Sequence, residues 1–306
     1  MNVLVTGGAG YIGTELVSRL AANDAVKKIV IYDNLSRPNY GGFLGGRKSG
    51  SEKIKFYKGE LLDSRHLKMV LKDMDVVYHL AARVTSASAN GIGHMFEQVN
   101  HWGTAELVYA VEESNVKKFI YTSSSGVYGN SNEVLDEQSL PTPQTFYAIS
   151  KLRGEEHVNR LMNKKDTYIF RCGNVYGYNR GMRFDAVINK FVFEANFQKR
   201  ITIHGDGNQS RTFIHINAIA SALDNVLTSD LPGGTYNLVE RNIKVIDIVD
   251  DLKQLIPDLE FIFINQHLTL HELNVKRNDF VNKKLGIDTQ KSLKEELQEF
   301  LNRFSF

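Results

Sequence analysis

The chain has 306 residues, of which 42% are hydrophobic and 24% charged, a composition typical of a globular protein with one large domain or with one domain and a smaller appendage. Its 37 basic and 35 acidic side chains give a net charge of +2, so charge gives no argument for nucleic acid or an anionic membrane surface as a partner. The single cysteine, Cys172, excludes an internal disulfide framework and a cysteine-rich zinc site. Because no segment reaches roughly 18 consecutive apolar residues and the N-terminus lacks a basic leader, we expect a soluble, cytoplasmic protein.

The first half of the chain alternates short, β-branched apolar runs with longer helical patterns. Strands that are apolar throughout are buried on both faces of a sheet, and strand–helix alternation gives right-handed βαβ units. We therefore predict an α/β fold built on a doubly wound parallel (Rossmann) sheet. The predicted strands are 2–6, 28–33, 54–59, 75–80, 118–123 and 167–171, and the predicted helices are 11–22, 64–72, 96–114 and 146–164.

The pattern changes after about residue 172. Segments 200–216 and 231–239 look irregular and are separated by one clear helix, 216–228. We interpret this part as a smaller, mixed α/β region packed at the carboxyl ends of the sheet. The glycine-rich stretch 39–53 is most simply a mobile surface loop, with a substrate lid as the alternative.

These patterns also predict how the chain divides into domains. We expect residues 1–172 to form the sheet domain, with 211–239 packing back on it. Residues 173–210 and 240–306 would then form the smaller, substrate-binding domain.

A glycine-rich turn lies between the first strand and the first helix. Gly7, Gly10 and Gly13 are spaced three residues apart, as required for a tight turn, close backbone approach to a pyrophosphate and close helix–strand packing. The second strand ends in Asp33, whose carboxylate can accept both adenosine-ribose hydroxyls and would repel a 2′-phosphate. The pattern therefore favours NAD over NADP, although Arg37 leaves a dual preference open.

Hydroxyl-bearing residues follow the fifth strand, in the run TSSSGVYG (122–129). The carboxyl end of a central strand lies in the crevice where open α/β sheets bind ligands, but a polar turn is the simpler interpretation of this run alone. Further along, Tyr147 and Lys151 are four residues apart and so lie on one helix face. A lysine ammonium beside a phenol favours the phenolate and lowers the tyrosine pKa from about 10. Serine, tyrosine and lysine around NAD would form a hydride-transfer site.

Together these motifs resemble the extended short-chain dehydrogenase/reductases, and more narrowly their NAD-dependent nucleotide-sugar epimerase/dehydratase group. The resemblance covers nearly the whole chain and implies NAD as cofactor and a nucleotide sugar as substrate. It rests on the joint occurrence, in this order, of TGGAGYIG, Asp33, HLAA (79–82), TSSSGVYG, YAISK and RCGNVYG (171–177).

The resemblance also implies roles for individual residues. The catalytic group would be Ser124, Tyr147 and Lys151, with Ser125 as a register alternative to Ser124. The implied cofactor contacts are Gly7, Gly10, Tyr11, Ile12, Gly13, Asp33, Asn34, Glu60, Leu61, Leu80, Ala81, Ala82, Asn100, Tyr147 and Lys151. The implied substrate contacts are Arg83, Ser125, Asn174 and Arg211, and no metal is expected.

The serine run distinguishes between reactions within this group. Similar 4,6-dehydratases usually carry Thr-Asp-Glu where this chain has Ser123, Ser124 and Ser125, and that acid pair moves the protons during loss of water. The serine form is similar to that of UDP-galactose 4-epimerase, so we predict a 4-epimerase acting through a transient 4-keto sugar. The alternatives are a nucleotide-sugar 4-dehydrogenase or keto-reductase, a decarboxylase and, from another class, a non-catalytic NAD-binding scaffold.

The substrate half matches the family less closely. Thr212 replaces the aspartate of the usual Arg-Asp-Phe, and 265–282 offers no clean match, so neither the nucleotide nor the sugar is identified. Asn174 as a turn residue and Arg211 as a solvated charge are the simpler alternatives to their proposed roles.

Other residues have structural interpretations. His267 and His271 read as a surface pair, Cys172 as a small buried side chain, and His79 as a packed, hydrogen-bonded residue. The helices at 96–114 and 146–164 correspond to helices that pair across a two-fold axis in similar proteins, so we expect a homodimer, although their apolar positions could equally be ordinary core.

Overall fold

The computed structural model describes residues 1–37, 50–84, 93–265, 272–287 and 291–304. Over these residues the strands are, in chain order, β1 (Asn2–Thr6), β2 (Lys28–Asp33), β3 (Ile54–Lys58), β4 (Val76–His79), β5 (Lys118–Ser124), β6 (Val134–Leu135), β7 (Asp166–Cys172), β8 (Asn174–Tyr176), β9 (Arg200–His204), β10 (Ser210–His215), β11 (Gly234–Leu238), β12 (Arg241–Lys244), β13 (Glu260–Ile264) and β14 (Asn274–Val275). The α-helices are α1 (Tyr11–Ala22), α2 (Ser64–Leu71), α3 (Gly93–Phe96), α4 (Gly103–Glu112), α5 (Phe146–Asn159), α6 (Val187–Gln198), α7 (Ile216–Asn225), α8 (Val245–Leu255), α9 (Asp279–Lys284) and α10 (Leu293–Leu301). Short 3₁₀ helices lie at Ser51–Lys53, Ser125–Tyr128 and Asn302–Phe304, and a π-helical turn, Glu97–Trp102, joins α3 to α4.

Seven of these strands form one parallel sheet in the order β11-β7-β5-β4-β1-β2-β3. The chain builds outward in one direction through β2 and β3 and in the other through β4, β5, β7 and β11, so the topological switch point lies between β1 and β4. All carboxyl ends meet at one edge, which places a ligand crevice there. The predicted α/β fold with a doubly wound parallel sheet is confirmed.

The central strands are buried on both faces, as their uninterrupted apolar runs require. Val3 and Val5 point to one side and pack in a cluster with Leu16 of α1. Leu4 points to the other side and packs in a second cluster with Leu107 of α4. Because successive strand side chains alternate between faces, each strand contributes to both cores.

The predicted elements of the first half agree closely with the observed ones, and the strand boundaries agree within one residue. Two helices differ. Helix α5 ends at Asn159 rather than 164, because the chain then turns through i→i+3 hydrogen bonds from Arg160 N to His157 O (3.2 Å) and from Leu161 N to Val158 O (2.9 Å). The helix predicted at 96–114 is interrupted by the π-helical turn.

The second half is more regular than its sequence indicated. Helices α6 and α8 occupy 187–198 and 245–255, where no helix was predicted, and β9 and β13 form a small parallel pair. A three-stranded sheet has the order β12-β10-β8, and β11 joins the main sheet beside β7. The division of the chain into two domains remains a prediction.

Some sequence features fall outside the described residues, namely His267, His271 and most of the glycine-rich stretch 39–53. Within the described parts, no helix combines the length and apolar character needed to cross a bilayer.

The glycine turn generates a prediction about stability. A Cβ on Gly13 would lie 2.4 Å from the Gly7 carbonyl oxygen, whereas a Cβ on Gly10 would lie 3.2 Å from the same atom. Gly13→Ala should therefore lower the free energy of unfolding by roughly 1–3 kcal/mol because backbone must move, and Gly10→Ala should cost less. Urea denaturation of both variants checks this, and equal losses would contradict the packing argument.

Candidate active site

The nucleotide end of the crevice is built by the turn between β1 and α1. Gly7 has φ +72°, a left-handed conformation that favours glycine, and its N–H donates to Tyr32 O at 2.9 Å. Gly10 occupies the N-cap position of α1 and has no side chain to cap the helix. The N–H groups of the first turn, from Tyr11 to Gly13, are therefore left to bind an anion at the positive end of the helix dipole.

Asp33 links the end of β2 to this turn. Its carboxylate accepts hydrogen bonds from Ala9 N at 3.0 Å and Leu35 N at 2.9 Å. A carboxylate has about four acceptor positions, so room remains for ribose hydroxyls. Arg37, the residue that left NADP open, forms an ion pair with Asp185 at 3.4 Å.

The predicted adenine side of the crevice is formed by the ends of β2 and β3. Asn34 donates to the Glu60 carboxylate at 2.9 Å, and the Tyr32 hydroxyl donates to Glu60 O at 2.8 Å. Leu61 is buried next to Glu60. The structure thus brings Asn34, Glu60 and Leu61 together at one end of the site.

The segment after β4 forms the floor of the crevice. It carries Leu80 and Ala82, and it passes so close to the turn that a Cβ on Gly7 would lie 2.5 Å from Ala81 N. Asn100, in the π-helical turn and 1% exposed, holds the segment by accepting from Arg83 N at 2.7 Å and donating to Arg83 O at 2.9 Å. Such π-helical turns often occur at functional sites.

Asn100 also connects the floor to the helix that carries the catalytic candidates. Its side-chain amide lies 3.0 Å from the Ser150 hydroxyl on α5. Thr145 caps this helix by accepting from Ala148 N at 3.1 Å, so Tyr147 lies in the first turn and Lys151 one turn later.

Ser124, Tyr147 and Lys151 converge at the carboxyl edge of the sheet. The Ser124 hydroxyl lies near the Tyr147 phenol and lowers its pKa against the effect of burial, whereas the register alternative, Ser125, is buried and only 2% exposed. Lys151 is 2% exposed, and among the described residues its ammonium has neither a hydrogen-bond nor a salt-bridge partner. A buried donor without a partner is a group that a ligand hydroxyl can satisfy.

The electrostatics of this group differ from the sequence-based expectation. Burial raises the pKa of Tyr147, and the opposing influences are the charge of Arg183 and the hydrogen bond with Ser124 rather than Lys151. Burial also lowers the pKa of Lys151 to about 7, and the nearby Cys172 and Glu155 act in the opposite direction. Because Lys151 is itself desolvated, its charge at neutral pH is fractional, which limits its effect on Tyr147.

The predicted substrate residues lie beyond Tyr147 in the chain. Asn174, exposed at the start of β8, donates to Thr212 O at 3.0 Å. Arg211 lies two residues before Phe213, which pairs with Asn174 in the register of β8 and β10. Burial lowers the pKa of Arg211, and no carboxylate pairs with it in the part of the chain that the structure describes.

Sequence reasoning missed Arg183, which lies in the loop after β8. Its charge acts on both Tyr11 and Tyr147, so this loop lies across the crevice. The loop is fastened to α1, because the Tyr11 hydroxyl donates to Gly177 O and Asn179 donates to Tyr11 O at 2.8 Å. No motif marks Arg183, since its position depends on the path of an irregular loop.

The remaining polar residues have structural environments. His79 is buried and hydrogen-bonded to Thr6 at 2.8 Å and Thr104 at 2.9 Å, which confirms a packed role. Cys172 is buried, as predicted. Across the described ranges, no group of three or more potential ligands could hold a metal ion.

The burial of Lys151 predicts a pH dependence of stability. Between pH 7 and pH 9 the unfolded chain still binds the lysine proton while the folded chain releases it, so stability should rise with pH. Over this range the free energy of unfolding should increase by about 2 kcal/mol more in the unmodified protein than in Lys151→Met. Urea denaturation at both pH values measures the difference. The exposed Lys72→Met is the matched control, and parallel pH dependences in all three proteins would contradict the burial argument.

The described residues fit NAD. The glycine turn offers uncapped N–H groups, Asp33 retains acceptor capacity, and the Lys151 ammonium, which makes no hydrogen bond to the described residues, lies at the opposite end near Tyr147. When bound, NAD supplies the capacity to take up and return a hydride.

Comparisons with known proteins agree with this geometry. Residues 3–238 match the model of the NAD dependent epimerase/dehydratase family. The mouse dTDP-D-glucose 4,6-dehydratase is 33% identical over 265 residues, which cover 84% of this chain and 73% of that protein. The crystal structure of the Bacillus cereus UDP-glucuronic acid 4-epimerase, in complex with UDP-glucuronic acid and NAD, superposes with a TM-score of 0.85 at 25% identity over 100% of both chains. The Methanobrevibacter ruminantium UDP-N-acetylglucosamine 4-epimerase, in complex with UDP-N-acetylmuramic acid, gives a TM-score of 0.85 at 28% identity over 99% of this chain and 97% of that one.

The family match covers most of the chain and includes the glycine turn, Asp33, Ser124, Tyr147 and Lys151. The chain therefore belongs to the NAD dependent epimerase/dehydratase family and is an NAD-dependent enzyme.

Proposed function

We propose that this enzyme is a nucleoside-diphosphate-sugar 4-epimerase that acts through a transient 4-keto sugar. The observation that carries the proposal is the convergence of Ser124, Tyr147 and Lys151, with serines rather than an acid pair after β5. The two solved structures named above are of 4-epimerases, which supports the same choice.

Each residue has a defined task in this proposal. Tyr147, once deprotonated, would accept the proton of the 4-hydroxyl while the carbon that bears it gives up a hydride to the nicotinamide, and would return that proton when the hydride comes back to the opposite face of the rotated keto sugar. Ser124 donates a hydrogen bond to the same sugar oxygen and holds it near the phenol. Lys151 binds the cofactor ribose. Arg183 adds positive charge, because it already opposes the effect of burial on the pKa of Tyr147.

The substrate diphosphate would be held by residues of β8 and β10. A guanidinium forms bidentate hydrogen bonds with phosphate, and Arg211 is desolvated with no described carboxylate to neutralise it. Asn174 lies on the neighbouring strand; its side-chain amide gives one N–H to Thr212 O and has a second N–H that can donate to a phosphate oxygen. Arg83 and Ser125 complete the proposed set, since the backbone of Arg83 is fixed by Asn100.

A 4,6-dehydratase is the alternative that the mouse relative favours. It would need a carboxylic acid and a carboxylate beside Tyr147. Ser123 cannot substitute, because its hydroxyl donates to Glu155 at 2.5 Å, and Glu155 is itself bound to Arg171 at 2.7 Å. A dehydrogenase or keto-reductase would use the same site but would release reduced cofactor each turnover.

We also propose that the enzyme is a homodimer and that it is located in the cytoplasm. Trp102 and Tyr109, on the helix that contains the π-helical turn, are 55% and 40% exposed. Large aromatic side chains left exposed about two turns apart on one helix are typical of an interface between subunits. We also keep the two-domain division, in which residues 1–172 and 211–239 form the sheet domain and residues 173–210 and 240–306 form the substrate-binding domain.

The central test is Tyr147→Phe. Removing the phenolic oxygen should abolish turnover of the substrate, because the group proposed to take the sugar proton is then absent. Binding of NAD should survive, since the ring and the helix remain. Turnover is measured with UDP-sugars by chromatography, and NAD binding by fluorescence. Unchanged activity in Tyr147→Phe would rule out the proposed role of the phenol. NADH accumulating when the unmodified protein is mixed with substrate would favour the dehydrogenase over the epimerase.

A second test concerns the diphosphate clamp. Adding UDP should raise the melting temperature of the unmodified protein, because a ligand that binds only the folded state stabilises it. In Arg211→Met this increase should fall by half or more, while the exposed control Arg200→Met should retain it. Equal increases in both variants would show that Arg211 does not bind the diphosphate. Screening UDP-, GDP-, dTDP- and CDP-sugars in the same assay would identify the nucleotide.

A further inference from the structure

The Lys151 ammonium rests on an aromatic ring. Its Nζ atom lies 4.2 Å from the centroid of the Tyr121 ring, over the ring face. The Tyr121 hydroxyl donates to Lys151 O at 3.3 Å, so the ring is also fastened to the helix that carries the lysine. Helix α5 can approach the ring this closely because residue 154 is a glycine. A Cβ at this position would lie 2.4 Å from the Tyr121 hydroxyl oxygen. A cation over an aromatic face is attracted to the ring, most strongly where both are desolvated.

A buried carboxylate lies one turn further along α5. Glu155 is 3% exposed, and Arg171 of β7 is 7% exposed. Arg171 binds the carboxylate through Nη2 at 2.7 Å and through Nε at 3.1 Å, and Ser123 donates to it at 2.5 Å. Glu155 follows Lys151 by four residues on α5, so the two side chains lie on one face of the helix. The charge of Glu155 favours the protonated form of Lys151 and raises its pKa against the effect of burial.

The other groups around Lys151 keep one charge state near neutral pH. The His79 and Tyr121 rings stack with centroids 5.4 Å apart, and burial holds the pKa of His79 well below the usual range, so His79 stays neutral. Burial raises the pKa of the Cys172 thiol to about 12 and that of Tyr121 well above 10, so both stay protonated. With Glu155 paired to Arg171, Lys151 is the group of this cluster whose charge changes between pH 5.5 and pH 9.

We propose that Tyr121 and Glu155 are positioning residues that hold the Lys151 ammonium in the crevice, one through its ring face and the other through its carboxylate. Both residues are buried, with Tyr121 fully inaccessible and Glu155 3% exposed. Their importance for turnover rests on the proposed function of Lys151, but their interaction with the ammonium exists in the free protein and can be tested without substrate.

The test is a double-mutant cycle measured at two pH values. The free energy of unfolding is determined by urea denaturation for the unmodified protein, Tyr121→Leu, Lys151→Met and the double variant, at pH 5.5 and at pH 9. At pH 5.5 the lysine is charged, and the coupling should correspond to about a tenfold change in the unfolding equilibrium constant, or about 1.4 kcal/mol. At pH 9 the lysine is neutral and most of this coupling should disappear. Tyr121→Phe is the matched control, because it keeps the ring face and should retain the pH-dependent coupling.

Glu155 is tested in a parallel cycle. Glu155→Gln removes the charge while keeping the shape, and the cost of leaving Arg171 unpaired is the same in the single and double variants, so it cancels. Its coupling to Lys151 should also be present at pH 5.5 and much weaker at pH 9. If the coupling in either cycle is equal at the two pH values, the residue in that cycle contributes only ordinary packing. That result would overturn its assignment as a positioning residue for the Lys151 ammonium.

A third arm covers the possibility that Tyr121→Leu does not fold. Replacing Tyr121 with phenylalanine and then with fluorinated phenylalanines keeps the ring volume while weakening the negative potential of its face. The coupling at pH 5.5 should fall stepwise with fluorination, and a constant value would refute the cation–ring interaction.

Turnover provides the functional readout. If Lys151 acts as proposed, the alkaline limb of the pH–rate profile should move down by about one pH unit in Tyr121→Leu and in Glu155→Gln, and should stay in place in Tyr121→Phe. An unmoved limb despite pH-dependent coupling would show that the lysine does not limit turnover, and would overturn the positioning role. An inactive unmodified protein with intact coupling would instead count against the proposed reaction alone.

Discussion

Parallel pairing of β5 with β4 on one side and β7 on the other is the constraint on which the site depends. The pairing brings the carboxyl ends of the three strands to one edge, where Ser123 lies opposite Arg171 in the register. Helix α5 returns across these strands and delivers Tyr147, Lys151 and Glu155 to the same edge. Without this register, Glu155 would lose its buried partner and Lys151 its aromatic support, so the sheet positions both the reacting residues and the groups around them.

The polar groups at the two ends of the crevice differ in how deeply they are buried. At the nucleotide end, the groups that bind the ligand are backbone N–H groups and a partly exposed carboxylate. These groups need little rearrangement to bind a hydrated anion or a sugar. At the catalytic end, the phenol and the ammonium are both desolvated, and their charged forms are disfavoured. The catalytic end therefore depends on nearby charges and dipoles, including Arg183 and the cluster around Lys151, to reach reactive protonation states. A site arranged in this way is sensitive to whatever charge the cofactor brings, because few other charges compete with it in a low-dielectric setting.

Local sequence predicted the first half of the fold well because each strand there is apolar throughout and each helix has a recognisable start. Thr145 before α5 and the turn from Gly7 to Gly13 before α1 are examples of such signals. Helices α6 and α8 were missed because they lie between short strands of several small sheets, where the simple alternation of the first half no longer applies. Positions given by motif, such as Ser124 and Tyr147, were found together as expected, whereas Arg183 was missed because a loop of no characteristic sequence brings it there. The pKa of Tyr147 was expected to fall, but burial raises it. The spacing of two residues in the sequence shows that they are neighbours, but it does not show how far each side chain is desolvated.

The π-helical turn between α3 and α4 has a geometric consequence of its own. A π turn contains one residue more than the α-helical turn it replaces, and each residue of an α-helix advances the side chains by about 100° around the axis. The extra residue therefore sets the angular phase of α4 relative to α3, so that Asn100 points inward to the floor of the crevice while Trp102 and Tyr109 point outward. Loss of a single residue from this turn would rotate one of these two surfaces out of place. The winding of the helix therefore fixes the orientation of its inner face relative to its outer face, although the two faces contact different parts of the surroundings.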